Sequence, residues 1–256
     1  MYESRDDRTR VLESEMKEYY FDLHTHMLPG LDDGAKDFAQ AEKMLETAYA
    51  EGIRRIMLTP HFGPRSLGAG RQKTEEVFDC MKEIAAAYEG LKLFLGNEIL
   101  FSPSTIEELH NGNALTLAGS DYVLVEFYPD KPLSALESAV RALIRAGYRP
   151  VIAHAERYRC LQKHPADAED LIEQGAAVQI NSSSLLRGWT DPEYRCVKKL
   201  LQNDLVHFIG SDCHNDSSRS PVIREAAEKL LRFTDAETAE AICRKNGERI
   251  LQNQPL

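Results

Sequence analysis

The chain has 256 residues, 43% of them hydrophobic and 28% charged, which is core enough for one large α/β domain or two small ones. Its 31 Lys+Arg against 41 Asp+Glu give a formal charge of −10, arguing against a nucleic-acid partner, because phosphate backbones select a basic face. No apolar run approaches the roughly 18 residues that span a bilayer, and the start of the chain is charged where a signal peptide needs an apolar core. The expectation is therefore a cytoplasmic protein without membrane insertion, its five scattered cysteines (no C-x-x-C pair) free thiols.

Residues 1–19 read as a polar N-terminal extension, and residues 20–256 as one domain. From Phe21 onward, strand-like runs alternate with helical patterns. The strands fall at 20–25 (YYFDLH), 53–60 (IRRIMLTP), 91–98 (LKLFLGNE), 121–127 (DYVLVEF), 149–155 (RPVIAHA), 176–181 (AAVQIN) and 205–211 (LVHFIGS). Between them, apolar residues at i, i+3, i+4 spacing predict helices from Asp37 to Ala50, Lys73 to Tyr88 and Leu133 to Ala146, the first and third closed by Gly52 and Gly147. Seven strand–helix units without a Pro/Gly/Ser linker predict a single parallel α/β domain, and seven suit a closed or nearly closed barrel better than an open sheet.

Metal-ligand side chains collect where these strands end. The first runs into His24 and His26, then Asp32 and Asp33; the second into His61; the third into Glu98; the fourth into Glu126; the fifth into His154; and the seventh into Asp212 and His214. In a parallel barrel the C-terminal strand ends share one mouth, so groups distant in sequence converge. Residues i and i+2 on a strand point to one face, which lets His24 and His26 serve one ion. Imidazole plus carboxylate without thiolate suits Zn, Mn or Fe at a hydrolytic site. A lone His or Asp at a strand end is usually a turn residue, but six of seven strands ending this way is improbable as coincidence. Glu98 and Glu126 follow apolar runs where an unpaired carboxylate is costly. The set is too large for one ion and sufficient for two or three, which can clamp the attacking and leaving oxygens of a displacement at phosphorus.

The segments DLHTH…LPGLDDGA, TPHF, GNE, VEF, AHAERY and SDCHN resemble the PHP (polymerase and histidinol phosphatase) superfamily, and within it the CpsB/YwqE-type bacterial tyrosine phosphatases of capsule and exopolysaccharide operons. The likeness runs from about residue 21 to about residue 250. It implies a distorted (β/α)7 barrel of PHP type and a site of two to three divalent ions, Mn first, with Fe, Zn or Mg as alternatives. It implies hydrolysis of phosphotyrosine in the C-terminal tyrosine segment of a bacterial tyrosine autokinase, and leaves homo-oligomerisation open. Carried over residue by residue, the ligands are His24, His26, Asp33, His61, Glu98, Glu126, His154, Asp212 and His214. Asp33 is preferred to Asp32 because it abuts Gly34. Arg157 and Arg219 match the phosphate contacts and the charge-stabilising catalytic groups. Apart from the resemblance, the glycines of GPRSLGAGRQKT (63–74) with Arg65, Arg71 and Lys73 read equally as a basic lip for an acidic phosphopeptide or as a plain disordered loop. The leading residues and Cys213 depart from the family pattern.

Two other readings compete. A histidinol-phosphate phosphatase, or another small-molecule phosphomonoesterase of the superfamily, would use the same metals in a more closed pocket. Cys213 to Arg219 (CHNDSSR) also has the C-x5-R spacing of cysteine-based phosphatases. Asp212 and Asp216 oppose that mechanism, because they repel a phosphate dianion and raise the thiol pKa.

Overall fold

The computed structural model describes residues 19–64, 66–67 and 69–256; the predicted extension up to residue 18, and Arg65, lie outside the described residues. Among these, strands β1 (Tyr20–Thr25), β2 (Ile53–Leu58) and β4 (Lys92–Leu95) form one sheet, in the order β1-β2-β4. The other sheet runs in the order β3 (His61–Phe62), β5 (Glu98–Leu100), β6 (Tyr122–Glu126), β7 (Arg149–Ile152), β8 (Ala177–Asn181) and β9 (Phe208–Gly210). The strand pairings are parallel. Beyond β9 the chain comes back to β1 through a bridge between Thr25 and Cys213, with Asp212 N donating to His24 O at 2.8 Å and His26 N to Cys213 O at 3.0 Å. The curled sheets thus form the distorted barrel expected of seven units.

The second predicted strand, 53–60, ends early at Leu58 and is followed by a separate short β3, and the third, 91–98, divides between β4 and β5. Pro60 lacks the N–H that would continue the ladder. The chain recovers through Asn97, whose side-chain amide donates to Pro60 O at 2.9 Å, and through Glu98 N, which donates to the same carbonyl at 3.2 Å. This jog puts His61 and Glu98 at the starts of paired short strands, directly opposite each other.

Helix α1 (Phe38–Ala50) is capped by Asp37, which accepts from Gln40 N, and buries Ala41, Met44, Leu45 and Ala48 against the barrel. Helices α2 (Arg71–Ala85) and α3 (Leu133–Arg145) bury Val77 and Met81, and Leu136, Val140 and Leu143. Inside the barrel, Phe21, Leu23, Met57, Tyr122, Leu124, Val151, Ala177 and Phe208 form an apolar floor. A register shift between Asp22 and Thr25 inserts an extra residue in β1. Phe21 and Leu23 join the floor below, and His24 and His26 still carry their rings together above it.

Candidate metal centre

Above the apolar floor the strand ends bring eight of the predicted ligands into three groups, each with potential ligand atoms within 4.8 Å of one another: His26, Asp33, His61 and His214; His24, His26 and Asp212; and His61, Glu98 and Glu126. The groups overlap at His26 and His61. The ninth, His154, stands beside them, its Nε2 2.7 Å from Glu98 Oε1 and 3.7 Å from Glu126 Oε2. Apart from Asp33, whose side chain is 56% exposed, all nine are buried.

The adjacent aspartates divide their work. Asp33 Oδ1 lies 3.4 Å from Nε2 of both His61 and His214. Asp32 is turned inward: its Oδ2 accepts from His26 Nδ1 at 2.7 Å and from His61 N at 2.9 Å, and its Oδ1 from Gly34 N at 2.9 Å. Gly34 follows because nothing larger fits, since a Cβ there would lie 2.1 Å from His26 O. Asp32 therefore aims His26 Nε2 into the cluster, as carboxylate partners of metal-bound imidazoles do.

Donor chemistry and spacing fit divalent ions. His24 Nε2 and His26 Nε2 face each other at 3.1 Å, close to the span of two ligand bonds of about 2.1 Å at about a right angle. Glu98 Oε2 is buried without a hydrogen bond of normal geometry, yet lies 3.2, 3.2 and 2.9 Å from ring nitrogens of His24, His26 and His61. The electrostatics tell the same story. Burial opposes charge on the imidazoles, but Asp32 and Glu98 outweigh it and hold His26 well above its ordinary pKa. Against the same burial, Glu126 and Glu98 push His61 up to about 9. Glu98, although buried, is held well below the carboxylate range by His24, His154 and His26. So much buried negative charge calls for cations, and protons on these rings supply what bound metal would.

Both predicted arginines reach the centre through Asp212. Arg157 Nη1 lies 2.8 Å and Arg219 Nη2 3.0 Å from Asp212 Oδ2, which also accepts from Asn181 Nδ2 at 2.8 Å. Asp212 Oδ1 is left facing His26 (3.5 Å) and His24 (3.7 Å). The backbones of His154 (φ 33) and Asp212 (φ 51) are left-handed, the kind of strain that persists where surrounding contacts over-determine it.

The C-x5-R alternative does not survive this geometry. Cys213 is fully buried, and burial, reinforced by the charge of Asp22, pushes its thiol well up, away from the nucleophilic thiolate. Arg219 is engaged by Asp212. Sequence reading missed Gln179 and Asn181 on β8, the strand without a predicted ligand. Their signal is an i, i+2 polar pair in an otherwise apolar, wholly buried run.

Fold and site define a class: a parallel β/α barrel with a buried histidine–carboxylate centre of the metallohydrolase kind at the C-terminal strand ends. The chain belongs to the capsular polysaccharide synthesis CpsB/CapC family, whose model matches residues 20–252. It is 30% identical over 239 residues to the tyrosine-protein phosphatase CpsB of Streptococcus pneumoniae, covering 91% of this chain and 98% of that one. It is 32% identical over 236 residues to the tyrosine-protein phosphatase YwqE of Bacillus subtilis, covering 92% of each. Crystal structures of YwqE and CpsB, described as unique metal-dependent tyrosine phosphatases, include a match at TM-score 0.84 and 32% identity, covering 92% of this chain and 96% of that one. A phosphotriesterase homology protein of Escherichia coli shares the fold, with TM-score 0.61 at 11% identity over 92% of this chain and 99% of that one. No helix among the described residues is long and apolar enough to cross a membrane.

Proposed function

We propose that this chain is a metal-dependent protein-tyrosine phosphatase. Its ligands are His24, His26, Asp33, His61, Glu98, Glu126, His154, Asp212 and His214, its ions two to three in number with Mn foremost, its location the cytoplasm, and its substrate the phosphorylated C-terminal tyrosine segment of a bacterial tyrosine kinase in capsule regulation. The observation that carries this reading is the overlap of three ligand groups at His26 and His61, an arrangement suited to neighbouring ions that share ligands. Such ions, when bound, supply Lewis-acid stabilisation of the phosphoryl oxygens and a water acidified for attack.

The chain's own groups do the rest. Asp32 and the Asp212 carbonyl, which lies 2.9 Å from His214 Nδ1, orient His26 and His214. Arg157 and Arg219, 28% and 40% exposed, stand between the buried cluster and solvent, where guanidinium donors meet the non-bridging oxygens of an arriving phosphate and stabilise charge that grows in the transition state. A tyrosine leaving group, with a conjugate-acid pKa of about 10, needs less protonation than an aliphatic alkoxide.

The exposure of Asp33 and Arg219 supports a mouth open to a peptide over the closed pocket of a histidinol-phosphate phosphatase. Turnover of a phosphotyrosine peptide and of histidinol phosphate by the Mn-loaded protein tests this. The expected result is a kcat/KM at least about 100-fold higher for the peptide; preference for histidinol phosphate overturns the reading.

A further inference from the structure

Gln179 takes no part in the ligand set, yet its side chain reaches two members of it, His24 and His154. It is fully buried on β8. Its Nε2 donates to Ile180 O at 2.7 Å and to Asn181 Oδ1 at 3.0 Å. Its Oε1 accepts from His154 N at 2.8 Å and stands 3.2 Å from His24 Nδ1. Two of these partners are backbone groups of fixed character: a carbonyl only accepts and a peptide N–H only donates. The amide can therefore stand one way round. An oxygen faces His24 Nδ1, so that nitrogen must carry a proton whether the ring is neutral or charged, and the neutral ring then presents the lone pair of Nε2, the atom that faces His26 and Asp212.

The same amide reaches two further strand ends. Its bond to His154 N holds a residue whose φ of 33 is strained left-handed backbone, which persists only where surrounding contacts over-determine it. Its bond to Asn181 Oδ1 leaves Asn181 Nδ2 to donate to Asp212 Oδ2. Space for this hub is cleared by Gly210 on β9, where a Cβ would lie 2.7 Å from His24 Cβ and 3.1 Å from Gln179 Nε2.

We propose that Gln179 is a positioning residue that fixes His24 in its Nδ1–H tautomer and ties His24, His154 and Asp212 into one rigid metal-receiving frame, an inference that rests on reading the cluster as a metal centre. Losing an outer partner of a metal-bound imidazole weakens affinity about 10- to 100-fold, so that is the expected effect of removing the amide.

The test uses full-length protein labelled with 15N-histidine, chelated and then titrated with Zn²⁺ against a chromophoric chelator. Gln179→Met, which keeps length and apolar volume but offers no acceptor to His24, is run beside the wild type. The expected results are an Nδ1–H signal for His24 in the wild type, loss of that single tautomer in Gln179→Met, and Zn²⁺ binding about 10- to 100-fold weaker in the variant at closely similar far-UV circular dichroism. Wild-type His24 without a proton on Nδ1 overturns the proposal on its own, whatever the variant's folding. An unchanged tautomer and Zn²⁺ affinity in Gln179→Met overturns it too, while leaving the metal reading of the site intact. A wild-type chain that takes up no divalent ion overturns the metal reading instead, and the frame's purpose with it.

Discussion

Arg157 and Asp212 meet at 2.8 Å, on the carboxylate oxygen turned away from His24 and His26. One carboxylate thus couples the guanidinium pair to the imidazole cluster, because Arg219 and Asn181 share that oxygen. An arginine serving transition-state charge should act on turnover more than on metal uptake. Arg157→Ala is expected to lower kcat for a phosphotyrosine peptide about 10²- to 10³-fold, with divalent-ion affinity within about threefold of wild type, since Arg219 and Asn181 still hold Asp212. Steady-state kinetics beside a metal titration checks this; an undiminished kcat removes Arg157 from the chemistry.

The two aspartates of the LDDG segment should separate by observable. Asp32 is buried and holds three donors, and His26, with those N–H groups, outweighs burial and keeps it below the usual carboxylate range. Asp32→Ala strands the His26 imidazole and should cost about 3–5 kcal/mol in urea unfolding of the chelated protein. Asp33→Asn, at an exposed side chain facing His61 and His214, should leave that stability within about 0.5 kcal/mol and weaken metal binding. The opposite pattern would exchange their roles.

Acid should destabilise the fold through His207 as well as through the centre. Its Nδ1 accepts from Val178 N at 3.2 Å, and burial lowers its pKa to about 4. The unfolded chain binds that proton below about pH 6.5 while the folded one refuses it, so stability present at neutral pH is lost as pH falls from about 6.5 to about 4, by about 1.4 kcal/mol per unit. His207→Asn keeps an acceptor without the titration. The slope of unfolding free energy between pH 6.5 and 4.5 should be shallower by about that amount in the variant; an identical slope rules His207 out.

Much of the barrel is legible in the sequence because strands such as β6 are near-continuous apolar runs and the helices between strands keep a 3.6-residue period. The breaks at Pro60 and Gly96–Asn97 are not legible as breaks, since TPHF and GNE read as strand ends; the jog appears when Asn97 bonds Pro60 O across the sheet. The cluster is legible through residue type and position, as with His24, His26 and Glu126. Gln179 and Asn181 are not, because an amide in a buried strand announces only that it has partners. Those partners, His24, His154 and Asp212, lie on β1, after β7 and after β9, and folding alone brings them together. The C-x5-R spacing shows the reverse error, a sequence match whose cysteine lies fully buried at the bridge joining the chain beyond β9 to β1.

Metal should also stabilise the fold. A ligand at 100 times its Kd adds about 2.7 kcal/mol to the stability of a chain that binds it only when folded. Mn²⁺ added to chelated protein should therefore raise its Tm, and His26→Ala, which removes the residue shared by two ligand groups, should abolish most of that rise. A Tm indifferent to Mn²⁺ in the wild type contradicts the centre's reading.

The most direct measurement is hydrolysis of a phosphotyrosine peptide by the purified protein before chelation, after chelation and after restoring Mn²⁺, with Cys213→Ser run in parallel. The account predicts that chelation abolishes turnover, Mn²⁺ restores it, and Cys213→Ser retains wild-type activity within about threefold. Activity that persists through chelation and disappears in Cys213→Ser would contradict the metal mechanism and return the chemistry to the thiol.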